Sequence, residues 1–103
     1  MKRNAAELLR KIADQIEQHP ESYDQGCFWN PVRECGCIAG WAWKLRRKSR
    51  WRASCTEPLS VSLGIDGPEL LLFEDFWRPR KGLTVSDALR MIADGASVAE
   101  VSR

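Results

Sequence analysis

Asn4-Ala5-Ala6-Glu7-Leu8-Leu9-Arg10-Lys11-Ile12-Ala13-Asp14-Gln15-Ile16-Glu17-Gln18 is the stretch from which the fold can be read. Ala5, Leu8, Leu9, Ile12, Ala13 and Ile16 recur at spacings of three and four, the stripe of an amphipathic helix. Lys11, Asp14, Gln15 and Gln18 take the wet side. Asn4 with Glu7 three residues later has the form of a capping box, and Pro20 ends the segment. His19 stands in the last turn, where a cation suits the helix dipole. A helix with one apolar stripe needs other elements to cover it, so the rest of the chain is read for partners.

Residues 20–34 read as a loop, punctuated by Pro20, Gly26 and Asn30-Pro31. Its aromatics Tyr23, Phe28 and Trp29 are too apolar for a free linker and are expected to fold back onto the core. A second helix is predicted from about Val32 or Cys35 to about Lys48, with Ile38, Trp41, Ala42 and Leu45 as its stripe. Cys37, Ala39, Gly40 and Ala42 are small enough to admit another helix closely. Gly40 costs a helix interior about 1 kcal/mol against Ala, which implies a packing role. Trp43 lies about 200° around the helix from Trp41, so the two cannot share a face.

Residues 53–64 fit either a short strand or a helical turn, and with no partner strand in sight the helix is favoured. Asp66, Pro68 and Glu69 start another helix, with Leu70, Leu71, Phe73 and Trp77 inward and Pro79 as its stop. Thr84 with Asp87 caps a final helix carrying Val85, Ala88, Leu89 and Ile92, closed by Gly95. Ser97 and Glu100 form a further box. Trp41, Phe73, Phe76 and Trp77 are read as core or core edge. The prediction is an all-α, compact single domain of four to five helices over residues 1–103, its core built on Leu8, Leu9, Ile12, Ile16, Ile38, Trp41, Leu45, Leu70, Phe73, Leu89 and Ile92.

Composition agrees with a single globular unit. The chain has 103 residues, 44% of them apolar, and a formal charge of +2. Such a chain can collapse, which excludes a disordered class. No apolar run reaches the roughly 18 residues of a membrane span. Met1-Lys2-Arg3 leads straight into the amphipathic pattern with no signal-peptide core, so a cytoplasmic protein is expected. The net charge conceals an asymmetry. Residues 44–52 hold six of the 16 Lys and Arg and no acid, leaving 10 cations against 14 Asp and Glu, a remainder of −4.

The cysteines give no familiar spacing. Cys27, Cys35, Cys37 and Cys55 are separated by seven, one and seventeen residues. Structural zinc sites favour pairs two to four apart, although His19 could serve as an extra ligand. A zinc-stabilised domain is therefore a minor alternative, and no cofactor or metal ligand is assigned. Cys35 or Cys37 near a helix start could ionise, but the single His19 is at the far end of another helix and nothing orients it. Phosphate-loop, dinucleotide, zinc-protease and serine-hydrolase motifs are all missing. The sequence thus points away from an enzyme.

The basic run is the main functional signal. Arg46, Arg47 and Arg50 stand three, four and seven residues after Trp43, so all can share its face, with Trp51 beyond. Three readings compete. The run can be a solvated helix end, since cations complement the C-terminal dipole. It can be a protein interface, because Trp and Arg dominate hot spots. It can bind nucleic acid, with Trp43 and Trp51 stacking on bases, although a dedicated binder has a pI above about 9 and this chain's is near 8.4. Lacking catalytic constellations, the chain is expected to be an interaction protein using Trp43, Arg46, Arg47, Arg50 and Trp51, with nucleic-acid binding as the alternative. The oligomeric state is not legible.

Cys37-Ile38-Ala39-Gly40-Trp41-Ala42 resembles the Cys-x-Ala-Gly-Trp-Ala core of small uncharacterised proteins of actinobacteria and their phages. The resemblance extends in order through Leu9-Arg10-Lys11-Ile12-Ala13-Asp14-Gln15-Ile16-Glu17, His19-Pro20, Gln25-Gly26-Cys27-Phe28-Trp29, Leu63-Gly64-Ile65, Leu72-Phe73 and Thr84. Those proteins often carry Cys-Gly-Thr further upstream of the core, where this chain has the tighter Cys35-Gly36-Cys37. The run at 44–52 is not shared. The resemblance implies a small helical intracellular protein, phage-encoded and binding a host protein, with no activity to carry over.

Overall fold

A computed structural model describes residues 2–46 (at position 46 the backbone alone), 64–65 and 67–103. The opening stretch forms helix α1, Arg3–Gln18. Its stripe is fully used: Ala5, Leu8, Leu9, Ile12, Ala13 and Ile16 are all buried. The expected capping box is not made. Lys2 is the N-cap and offers no side-chain bond, while Glu7 instead pairs with Arg3 at 3.1 Å one turn back. Pro20 ends α1 by opening a single 3₁₀ turn, Pro20–Ser22.

The next segment corrects the expectation of a purely α protein. Trp29–Asn30 (β1) and Cys35–Gly36 (β2) pair antiparallel, with Trp29 opposite Gly36 and Asn30 opposite Cys35. The described residues are therefore mostly helical, with one small sheet. The hairpin also corrects the start of the second helix. Asn30 Oδ1 accepts from the Val32 and Arg33 amides, which pulls residues 31–33 into a turn. Glu34 then adopts a φ of 51°, which no helix continues through. Val32 is left 90% exposed. The helix, α2, runs Ile38–Arg46.

Gly36 and Gly40 allow this hairpin to sit on α2. A Cβ at Gly36 would lie 2.4 Å from the Phe28 carbonyl oxygen, and one at Gly40 would lie 1.7 Å from it. Gly40 does have a packing role, but its neighbour is the backbone of Phe28, the residue before β1, and not a second helix. Each flanking residue is also committed to packing. Cys37 Sγ accepts from the Gly40 amide, the bond a capping serine would supply. Ala39 and Ala42 are buried, and Trp41 Nε1 donates to the Ser22 carbonyl at 2.7 Å.

Gly67–Phe73 is a 3₁₀ segment rather than an α-helix. With three residues per turn the inward positions shift. Leu72 is completely buried, Leu70 is 39% exposed, and Phe76 beyond it is 65% exposed, so neither Leu70 nor Phe76 belongs to the core. Phe73 and Leu45 are only half-buried against it. Trp77 is buried as expected. Gln25, itself buried, holds this segment to the first loop. Its Nε2 donates to the Leu72 and Glu74 carbonyls at 3.1 and 2.6 Å, and its Oε1 accepts from Tyr23. The sequence readings at 53–63 and at Asp66 fall outside the described residues.

Helix α3, Val85–Ala93, lies against α1 and is the main cover of its stripe. Thr84 caps it by accepting from the Asp87 amide at 3.0 Å, as the sequence predicted. Ser86, buried on the packed face, donates to the Ala13 carbonyl of α1 at 3.1 Å. The short helix α4, Val98–Val101, is capped by Ser97 through the Glu100 amide. Among the described residues no helix is long and apolar enough to cross a membrane.

Candidate aromatic and cationic surface

The hairpin and α2 together build a cluster of aromatic rings. Trp41 points from α2 toward the core, whereas Trp43 leaves on another side of the helix. Trp29, carried by β1, reaches both. Its ring stands edge-on to Trp41 at 5.0 Å and to Trp43 at 6.3 Å. Phe28 packs on Trp43 at 6.1 Å. Such tilted and edge-on pairs contribute beyond their buried area. Phe28, Trp29 and Trp43 remain half-buried, leaving part of each ring at the surface. Lys44, exposed, holds its ammonium 5.5 Å from the centre of the Trp29 ring, a cation–π contact.

Beside these rings lies an open cleft of about 420 Å³. The end of α1 and the first 3₁₀ turn form one wall, with Gln15, His19, Glu21 and Ser22. The hairpin and α2 form the other, with Trp29, Arg33, Glu34, Trp41 and Lys44. His19 Nδ1 lies 3.5 Å from Glu21 Oε1.

Of the residues the sequence singled out, Trp43 is in this cluster. Arg47, Arg50 and Trp51 lie outside the described residues, as does the side chain of Arg46. Trp43 is packed on Phe28 and Trp29 rather than standing clear on a solvent face. Phe28 and Trp29 were read from the sequence as core-covering aromatics, and Arg33 as part of a loop. Their place in the surface was missed because the hairpin that carries them is too short to show strand alternation.

The cysteines are arranged for packing. Cys35 and Cys37 are buried and Cys27 is half-buried, all three as free thiols. Burial pushes the Cys37 thiol above its ordinary value, against a smaller opposing effect of amide hydrogen bonds. A thiol held neutral in this way is poorly suited to nucleophilic attack. Among the described residues no three His, Cys, Asp or Glu side chains are grouped to hold a metal. Cys55 lies outside them.

Comparison of the chain with protein-family models, curated proteins and solved structures finds no match.

Proposed function

We propose that the chain is a non-enzymatic interaction protein that binds a protein partner through the aromatic and cationic surface at the end of α2. The observation that carries this is the cluster of Phe28, Trp29 and Trp43 at the surface with Lys44 over it. Lys44 is also the first of six cations in the basic run. Tryptophan and arginine supply most of the binding energy in protein interfaces, because large rings exclude water around hydrogen-bonding cations. The resemblance of Cys37–Ala42 to actinobacterial and phage proteins supports a phage-encoded accessory role with a host protein as the partner.

Affinity capture from an actinobacterial lysate tests this, comparing wild type with Arg47→Glu/Arg50→Glu. Trp43→Ala is a poor choice, because it would also loosen Phe28 and Trp29. A protein retained by wild type and lost from the double variant is the expected result. Identical retained sets overturn the reading. Capture that disappears with nuclease and falls steeply with salt reassigns the surface to nucleic acid.

A further inference from the structure

We propose that Cys27 and Cys37 are a redox pair that hydrogen peroxide closes into a disulfide, fastening the entry of the hairpin to the start of α2.

The two residues are ten apart in sequence and in direct backbone contact in the fold. The Cys37 amide donates to the Cys27 carbonyl at 2.8 Å. Residues bonded in this way hold their Cα atoms about 5–6 Å apart, inside the roughly 4.4–6.8 Å that a disulfide spans. The Cys37 thiol also turns toward this part of the chain, 4.0 Å from the carbonyl oxygen of Phe28, the residue after Cys27. Burial holds that thiol above its ordinary value, and the neighbouring Cys27 raises it further. Cys35 is placed differently, opposite Asn30 across the sheet. The backbone on either side is already tied down. The Asp24 amide donates to the Gly36 carbonyl at 3.0 Å, and the Trp41 amide to the Cys37 carbonyl at 2.9 Å. The pair is therefore held together before any bond forms between its sulfurs.

Exposure sets the order of events. Cys27 is half-buried, whereas Cys37 is 5% exposed, so peroxide meets Cys27 first. The Cys27 thiolate attacks one peroxide oxygen, the O–O bond breaks, and Cys27 becomes a sulfenic acid as hydroxide leaves. The Cys37 sulfur then attacks the Cys27 sulfur. The S–O bond breaks, and the sulfenic oxygen departs as water with the Cys37 proton. In sum, two thiols lose two electrons and two protons, and one peroxide becomes two waters. Burial keeps Cys37 protonated, so the second step depends on nearness to Cys27 and not on intrinsic reactivity. In the product Cys37 has lost its proton but keeps its lone pairs, so its sulfur can still accept from the Gly40 amide at the start of α2. The closed form holds the segment bearing Phe28 and Trp29 against that helix.

The wild-type chain, treated with a small excess of hydrogen peroxide, alkylated in urea without reduction and digested with trypsin, tests this. Cleavage after Arg33 separates the two cysteines, so a disulfide between them joins two peptides, and fragmentation in the mass spectrometer assigns the sulfurs. The expected result is a cross-link from Cys27 to Cys37 within a monomer on a non-reducing gel, with Cys35 alkylated and the link undone by dithiothreitol. The oxidised chain should show a higher urea midpoint than the reduced one, because the closed loop restricts the unfolded state. Cys27→Ser, checked for its helices by circular dichroism, should leave Cys37 open to alkylation after peroxide. A link through Cys35 or Cys55, a disulfide between chains, over-oxidation of Cys27 with no link, or a midpoint that does not rise overturns the proposal.

Discussion

Gly40 has no room for a methyl group. The Phe28 carbonyl oxygen occupies the position a side chain would need, at 1.7 Å from an added Cβ. Alanine would raise helix propensity by about 1 kcal/mol. Forcing backbone away from a packed helix costs about 1–3 kcal/mol or more, because the carbonyl cannot rotate aside as a side chain would. Gly40→Ala is therefore expected to lower the urea midpoint despite its better helix propensity. A midpoint at or above wild type would show that the hairpin yields freely. The special status of Gly40 was legible in the sequence as a glycine inside a helical stripe. The identity of its neighbour was not, because a backbone carbonyl is written in no residue letter. The same limit hid the exposure of Phe76, whose apolar ring says core while its position after a 3₁₀ turn says solvent.

Elements with a strong period were read correctly, and those without one were not. The α1 and α3 stripes repeat often enough to define a face, and Thr84 and Ser97 mark helix starts through a side-chain bond to a nearby amide. Thr84→Ala should cost about 1 kcal/mol, measured by thermal or urea unfolding, with the fold retained. Two-residue strands and a 3₁₀ segment leave no comparable trace, so the hairpin and the Leu70/Leu72 exchange appeared only in three dimensions. The α1–α3 pair also carries a pH dependence. Arg90 reaches Asp14 at 2.8 Å and Glu17 at 2.6 Å. Its hydrogen bond and charge hold the Glu17 carboxyl below the ordinary range. A depressed acid contributes its stability above the unfolded value, about pH 4.3, and loses it as pH falls through the lower folded value. The urea midpoint should therefore fall on acidification below that point, and Arg90→Gln should shrink that fall. Added salt should shrink it too, since the pair faces water. An unchanged acid limb in Arg90→Gln would remove the ion pair from the account.

At the scale of the molecule, charge and packing divide the work. The residues outside 44–52 carry a net charge of −4 and the core is held by α1 and α3, while the positive segment begins at Lys44, whose ammonium lies over the Trp29 ring. The proposed site near the end of the second helix was read from charge alone. Its depth was not, because the cleft needs α1, the hairpin and α2 together, and those contacts span distant residues. Gln25 shows how widely the fold is tied. Gln25→Leu would leave the Leu72 and Glu74 carbonyls without that donor and should cost about 1–3 kcal/mol, read from the urea midpoint. A neutral result would mean that both carbonyls find water. The same amide has a consequence for the order of events during synthesis. A chain leaving the ribosome exposes Gln25 well before Leu72 and Glu74, its acceptors 47 and 49 residues later. Helix α1 likewise emerges long before α3, which brings Ser86 to the Ala13 carbonyl 73 residues away. The nascent first half must wait with its apolar stripe bare, so a pause before α3 emerges is the moment at which a chaperone would find it.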